Sequence, residues 1–200
     1  MSATNDEYQT LNPATVAEGF YSEKRSKFLA FAHHVDSEEM AKDIVAEYRR
    51  KYYDARHVCF AYVLGNEGEL FRANDDGEPS STAGKPILGQ LQKNGLTNAL
   101  VVVIRYYGGV NLGTGGLIVA YRTATADALE KAEIITCQVA EEVVFHFSYL
   151  MMNGVMRVVK ELSPRIIEQN FDNDCTIRLS IRKSQAELLR EKLNKLSFEQ

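Results

Sequence analysis

The run ALVVVIRYY, residues 99–107, constrains this chain more than any other feature. Read as a strand, it puts apolar side chains on both faces of a sheet, so other elements must cover that sheet on both sides. A chain of 200 residues has room for one large domain or two smaller ones. Glycine brackets the strand. Nine of the thirteen glycines fall between Gly77 and Gly116, concentrated in DDGEPSSTAGKP (75–86) and RYYGGVNLGTGG (105–116). Glycine permits positive φ and lets another group approach bare backbone. Two such loops on a rigid scaffold mark a surface built to receive something.

The remaining segments are assigned by periodicity. FLAFAHHV (28–35) suits a strand. Asp36 is placed to cap the next helix, with Glu39 completing a capping box. Met40, Ile44, Val45 and Tyr48 form its apolar stripe, and it ends near Tyr53. HVCFAYVL (57–64) reads as a buried strand, and 69–73 as its return after a turn at Asn66 and Gly68. A short helix spans 86–93, with Pro86 at its first position and Asn94 and Gly95 as its stop. A long helix, 117–131, begins among glycines. Residues 1–14 show little periodicity and read as a loose arm.

The pattern restarts after Glu133. A strand at 139–148 leads into a helix with Tyr149, Met152, Val155, Met156, Val159 and Leu162 on one face. Two strands near 166–171 and 176–182 follow, joined by a turn at Asp172, Asn173 and Asp174. Ser184 with Glu187 opens a last helix, ending near Leu196. The order β-α-β-β-α is a ferredoxin-like half-sandwich. We therefore expect an α+β chain with an N-terminal domain over 1–136 and a C-terminal domain over 137–200.

Composition limits the function. No apolar run approaches the ~18–20 residues of a membrane span, and the polar start MSATNDEYQT carries no signal-peptide pattern. Cys59, Cys137 and Cys175 lack disulfide or metal spacing, which suits a reduced, cytoplasmic protein with cysteines as core filler. A net charge of −4 argues against a generic polyanion binder but allows a local basic patch.

The loops exclude two familiar chemistries. Six residues separate Gly77 from Gly84, and Pro86 follows Lys85, so the phosphate-binding P-loop and its magnesium-binding hydroxyl are missing. Gly113, Gly115 and Gly116 do not have dinucleotide-fold spacing. What remains is a helix start whose N–H groups at Gly113, Thr114, Gly115 and Gly116 form an anion site, or else a tight turn that lets the helix pack closely. Phosphate on RNA is a candidate occupant. Lys85, Arg105, Tyr106, Tyr107 and Arg122 adjoin the loops and complete the RNA- or anion-binding set, because Arg and Tyr pair with phosphates and stack on bases. Arg105 ends a buried strand, so a structural salt bridge is its rival reading. Arg72 lies near the same loops, and Lys24, Arg25 and Lys27 form another basic cluster.

Asp75, Asp76 and Glu78 stand beside Ser80, Ser81 and Thr82. They describe either a capped turn or an enzyme site for a small phosphorylated or acyl substrate. His57 has no nucleophile placed beside it by the sequence, and His33 and His34 point to opposite faces of a strand. We expect no metal and no cofactor.

DDGEPSSTAGKPIL (75–88) and VVVIRYYGGVNLGTGGL (101–117) resemble the IMPACT family, and KRSKFLA (24–30) and ARHVCFAY (55–62) do so more weakly. The two-domain layout is similar to its bacterial YigZ-type members. The motif loop comprises Asp76, Gly77, Glu78, Pro79, Ser80, Thr82 and Gly84, and Ser81 stands where the family usually has glycine. The resemblance implies a ribosomal protein S5 domain-2-like N-terminal domain and a ferredoxin-like C-terminal domain. That pair is similar to the last two domains of the translocation elongation factor. The resemblance further implies eukaryotic relatives that restrain the activator of an amino-acid-starvation kinase. For this chain it implies a non-enzymatic, translation-linked regulator that binds RNA or a ribosome-associated partner, without catalytic residues to carry over. The alternatives are the enzyme just described and a pure protein-interaction module.

Overall fold

The computed structural model describes residues 6–171 and 175–198; the turn expected at 172–174 lies outside them. The chain divides into two compact units of mixed α/β structure.

The first unit is Tyr8–Cys137. Its strands β2 (Ala17–Glu23), β3 (Ser26–His34), β4 (His57–Leu64), β5 (Leu70–Asn74) and β6 (Ala99–Tyr106) form one sheet in the order β2-β3-β6-β4-β5. Every pairing is antiparallel. β6 lies at the centre, and residues 99–104 are wholly buried. On one face, helix α1 (Glu38–Lys51) packs Ala41 and Val45 against Phe60, Val102 and Ile104. On the other, α2 (Gly84–Lys93) and α3 (Gly113–Lys131) set Ile87, Leu91, Ala120 and Tyr121 against Phe28, Cys59, Val101 and Val103. Each fully buried Val, Leu or Ile here is worth roughly 1.5–3 kcal/mol. The double coverage read from ALVVVIRYY is thus met by helices on both sides of an antiparallel sheet.

Four readings change. Glu7–Leu11, expected as loose arm, is strand β1, paired with β7 (Ile134–Gln138). β2 was not anticipated. It enters β3 through a two-residue turn in which Lys24 and Arg25 both take positive φ, 45° and 65°. Such turns normally signal themselves with Asn-Gly. Helix α1 is capped by Ser37, whose Oγ accepts from the Met40 N–H at 3.1 Å, while Asp36 bonds His34 instead. Helix α3 starts at Gly113, four residues before its first apolar position, against glycine's weak helix propensity.

The second unit gathers described residues 6–7 and 138–198. Strands β8 (Ala140–Phe147), β9 (Arg165–Phe171) and β10 (Cys175–Arg182) form an antiparallel sheet in the order β8-β10-β9. Helices α4 (Met152–Leu162) and α5 (Lys183–Phe198) complete the expected β-α-β-β-α order. Its core joins Val143, Phe145, Ile177, Leu179, Val155, Val158, Leu189 and Leu193. Tyr149 and Met156, placed on the same helical face as Val155 and Val159, are exposed at 67% and 38%. Asp6 receives the Ser184 N–H at 2.8 Å and also the Ser184 hydroxyl, so the last helix is capped from a distant segment and not by a local box. Among the described residues, no helix is long and apolar enough to cross a membrane.

Candidate functional site

The two glycine-rich loops meet through one buried carboxylate. Strand pairing sets His57 of β4 and Phe28 of β3 opposite Arg105 of β6. Glu78, from the first loop, accepts from Arg105 Nη1 at 2.6 Å and from the Tyr121 hydroxyl of α3 at 2.7 Å. The Arg105 and Glu78 side chains are 7% and 3% exposed. Cys59 Sγ lies 3.3 Å from the Tyr121 oxygen and 3.1 Å from the Asp75 carbonyl. His57 Nδ1 lies 2.7 Å from the Asp76 carbonyl oxygen, which can only accept, so that nitrogen carries the proton.

The other loop carboxylates are also committed. Asp75 accepts from the N–H groups of Ser81, Ala83 and Gly84 at 2.8, 3.0 and 2.8 Å, tying the loop to the start of α2. Asp76 accepts from the Val58 N–H at 2.7 Å and pairs with Arg49 at 2.5 Å. Thr82 Oγ1 donates to the Pro79 carbonyl. Burial pushes the Cys59 thiol and the Tyr121 hydroxyl up, away from their reactive anions. The carboxylates of the loop therefore serve as a clasp. Ser81 holds φ +65°, the left-handed backbone that glycine adopts most easily.

Asp75 yields a pH prediction. Burial by itself would raise its carboxyl, but the three N–H donors and nearby Lys85 outweigh this and hold it below the usual 3.8. The folded value is lowered, so the stabilisation is complete above the unfolded pKa and is lost as pH falls through the folded one. Asp75→Ala is expected to cost about 1–2 kcal/mol at neutral pH, the range for a lost helix cap. In urea titrations the gap to the parent protein closes below about pH 4. A gap independent of pH contradicts this.

The cations expected to bind separate into groups. Lys85 of α2 and Arg122 of α3 line one cavity of about 390 Å³ with Ser81, Gly89, Gln90 and Ile118. Neither makes an ion pair among the described residues. Thr114 precedes Ile118 and Arg122 by four and eight residues, on the same stripe of α3. Gly113, Thr114 and Gly115 are exposed, and no side chain caps the helix start. A Cβ added at Gly113 or Gly115 would meet nothing within 4 Å. Gly116 is tighter, 3.0 Å from Leu112 Cβ. The start of α3 is thus exposed, and its first N–H groups have no side-chain cap.

Arg105 and Tyr107 belong to a second cavity, of about 260 Å³, with Arg56, His57 and Asn111. Arg105, expected at the phosphate surface, directs Nη1 to Glu78, as its rival reading had it. Tyr106 lies on the face of the sheet opposite α2 and α3. It packs in the α1 layer and donates to Asp54 at 2.9 Å. The sequence reading did not single out Arg56 or Asn111; the first is placed by β4–β6 pairing and the second by the turn after Gly109, and neither carries a local signal. Among the described residues, no group of three or more His, Cys, Asp or Glu is placed to hold a metal ion.

Comparison with known proteins follows the same motifs. Residues 24–129 match the family model of the Impact N-terminal domain. The chain is 34% identical over 171 residues to the IMPACT family member YigZ of Escherichia coli (strain K12), covering 84% of this chain and 82% of that protein. It is 33% identical over 97 residues to the Protein IMPACT homolog of Saccharomyces cerevisiae, covering 46% of this chain and 37% of that protein. A crystal structure described only as that of a hypothetical protein superposes with a TM-score of 0.73 at 31% identity, over 97% of this chain and 94% of that one.

Proposed function

The chain belongs to the IMPACT family, and on that premise we propose that it is a translation-linked regulatory protein of the cytoplasm whose first unit holds the phosphates of RNA, free or within the ribosome. The translation-linked relatives that the resemblance implies support the setting. We read the units as S5 domain-2-like and ferredoxin-like; the β-α-β-β-α order and the β8-β10-β9 sheet support the second of these.

One observation carries the choice of RNA phosphate. Lys85 and Arg122 come from different helices to one cavity, and α3, which bears Arg122, opens with uncapped, exposed amides. Cations with no ion-pair partner among the described residues and uncapped N–H groups on neighbouring helices suit a chain of phosphates. The enzyme alternative loses support because Asp75, Asp76 and Glu78 are engaged in holding the loop.

Titrating a fluorescent single-stranded RNA against the full chain at several salt concentrations tests this. Affinity is expected to fall linearly in log salt, with a slope of about 0.7 for each phosphate neutralised. Absence of binding at low salt, or binding indifferent to salt, overturns the proposal. Retention of a protein partner after nuclease treatment, without RNA binding, would transfer the role to protein interaction.

A further inference from the structure

The second cavity of the first unit has a lining that the RNA surface does not use. It is bounded by Arg56, His57, Arg105, Tyr107 and Asn111, and it shares no lining residue with the Lys85/Arg122 cavity. Arg105 contributes a buried Nε that has no hydrogen-bond partner among the described residues. A buried N–H left unpaired is costly, and native structures almost always supply an acceptor. The guanidinium is held in place by Glu78 at Nη1 and by two rings, Phe28 and Tyr107, at 5.6 and 5.5 Å. It is a fixed donor with capacity to spare.

Two other lining groups, Asn111 and Arg56, can also donate. Asn111 Oδ1 already accepts from the Tyr107 hydroxyl at 3.1 Å, which leaves its NH₂ group available. Arg56 is exposed and makes no ion pair among the described residues. The hairpin tip bearing Lys24 and Arg25 abuts the same loop, since the Gly108 N–H donates to Ser26 Oγ at 3.1 Å. Against these cations stands Glu78, whose Oε1 accepts from Arg105 and Tyr121 and whose Oε2 lies 3.8 Å from His57 Nε2. We propose that this cavity binds a terminal phosphate group, with Arg56, Arg105 Nε and Asn111 as its donors. A carboxylate offers two oxygens in one plane and favours a complete guanidinium fork, which Arg105 no longer has. A phosphate presents three terminal oxygens in different directions and suits donors from three separate segments.

The phosphate could arrive as the free ion or on a nucleotide, and half-exposed Tyr107 offers a ring at the site for a base. Calorimetric titration of the full chain with inorganic phosphate, UMP and uridine separates these sources. Phosphate and UMP are expected to bind saturably and uridine not at all. UMP tighter than phosphate assigns a nucleotide, and equal affinity assigns the free ion. Arg56→Ala and Asn111→Ala, both on exposed side chains, should each weaken binding roughly tenfold or more, as expected for a lost charge-assisted or well-placed hydrogen bond. Lys85→Ala with Arg122→Ala should leave UMP affinity unchanged, so failure here and failure of the RNA proposal are told apart. Three results would overturn the site: no saturable binding of phosphate or UMP up to about 10 mM, binding that ignores both Arg56→Ala and Asn111→Ala, or uridine binding as well as UMP.

Discussion

Glu78→Ala is expected to lower the stability of the first unit by about 3–5 kcal/mol, the cost of stranding one partner of a buried ion pair. The substitution leaves Arg105 buried with its charge uncompensated and removes the acceptor of the Tyr121 hydroxyl. Surface pairs set the scale for comparison. Lys42 with Glu38, at 3.6 Å and half-exposed, should contribute at most about 1 kcal/mol. Burial, and not the presence of a salt bridge, makes the difference. Because the loss arises from an orphaned charge, replacing both partners together by Glu78→Leu and Arg105→Met should recover much of it. Chemical denaturation of the parent protein and these two variants measures the effect. A loss below about 1 kcal/mol for Glu78→Ala would mean that the pair is not a clasp.

Gly108→Ala should be nearly as damaging, for a steric reason. A Cβ at Gly108 would sit 2.1 Å from the Arg25 carbonyl carbon and 2.3 Å from the Ser26 nitrogen. Both are backbone atoms of the β2–β3 turn, so no rotamer change relieves the clash. The turn or the loop must move, at a cost of about 3 kcal/mol, the upper end for overpacking. Gly115→Ala supplies the control on the same loop. It lies in the first turn of α3 with open space around it, and alanine there should be neutral or stabilising by about 0.5–1 kcal/mol. Thermal unfolding that ranks the two glycines equally would contradict this geometry.

Much of the fold was legible because single segments imposed it. The strand at 99–107 has no polar face, so coverage on both sides followed from composition. The second unit followed from clean alternation in β10 and helical spacing around Val155 and Val159. What stayed hidden depends on distant partners. β1 is short and finds its place by pairing with β7, more than a hundred residues away. β2 is joined to β3 through Lys24 and Arg25 at positive φ, where the usual glycine cue is missing. Ser184 looked like a local cap, yet Asp6 supplies the acceptor for its N–H.

The site was legible in its parts and not in its grouping. The loop residues and cations could be named, but Arg105 remained open between phosphate contact and salt bridge. The β3–β6–β4 register settles its surroundings, by setting Arg105 beside His57 and Phe28 and within reach of Glu78. Lys85 and Arg122, 37 positions apart in number, share a cavity only because α2 and α3 pack side by side on one face of the sheet. No spacing rule reports such a meeting.

Lys85 and Arg122, together with the open start of α3, are the groups proposed to hold RNA phosphate. The most direct measurement is RNA affinity across salt for the double variant Lys85→Ala, Arg122→Ala against the parent protein, with urea titrations of both to show equal stability. Removing two phosphate contacts should weaken binding at low salt and flatten the log–log salt slope by about 1.4. An unchanged affinity and an unchanged slope in a stably folded double variant would contradict the account.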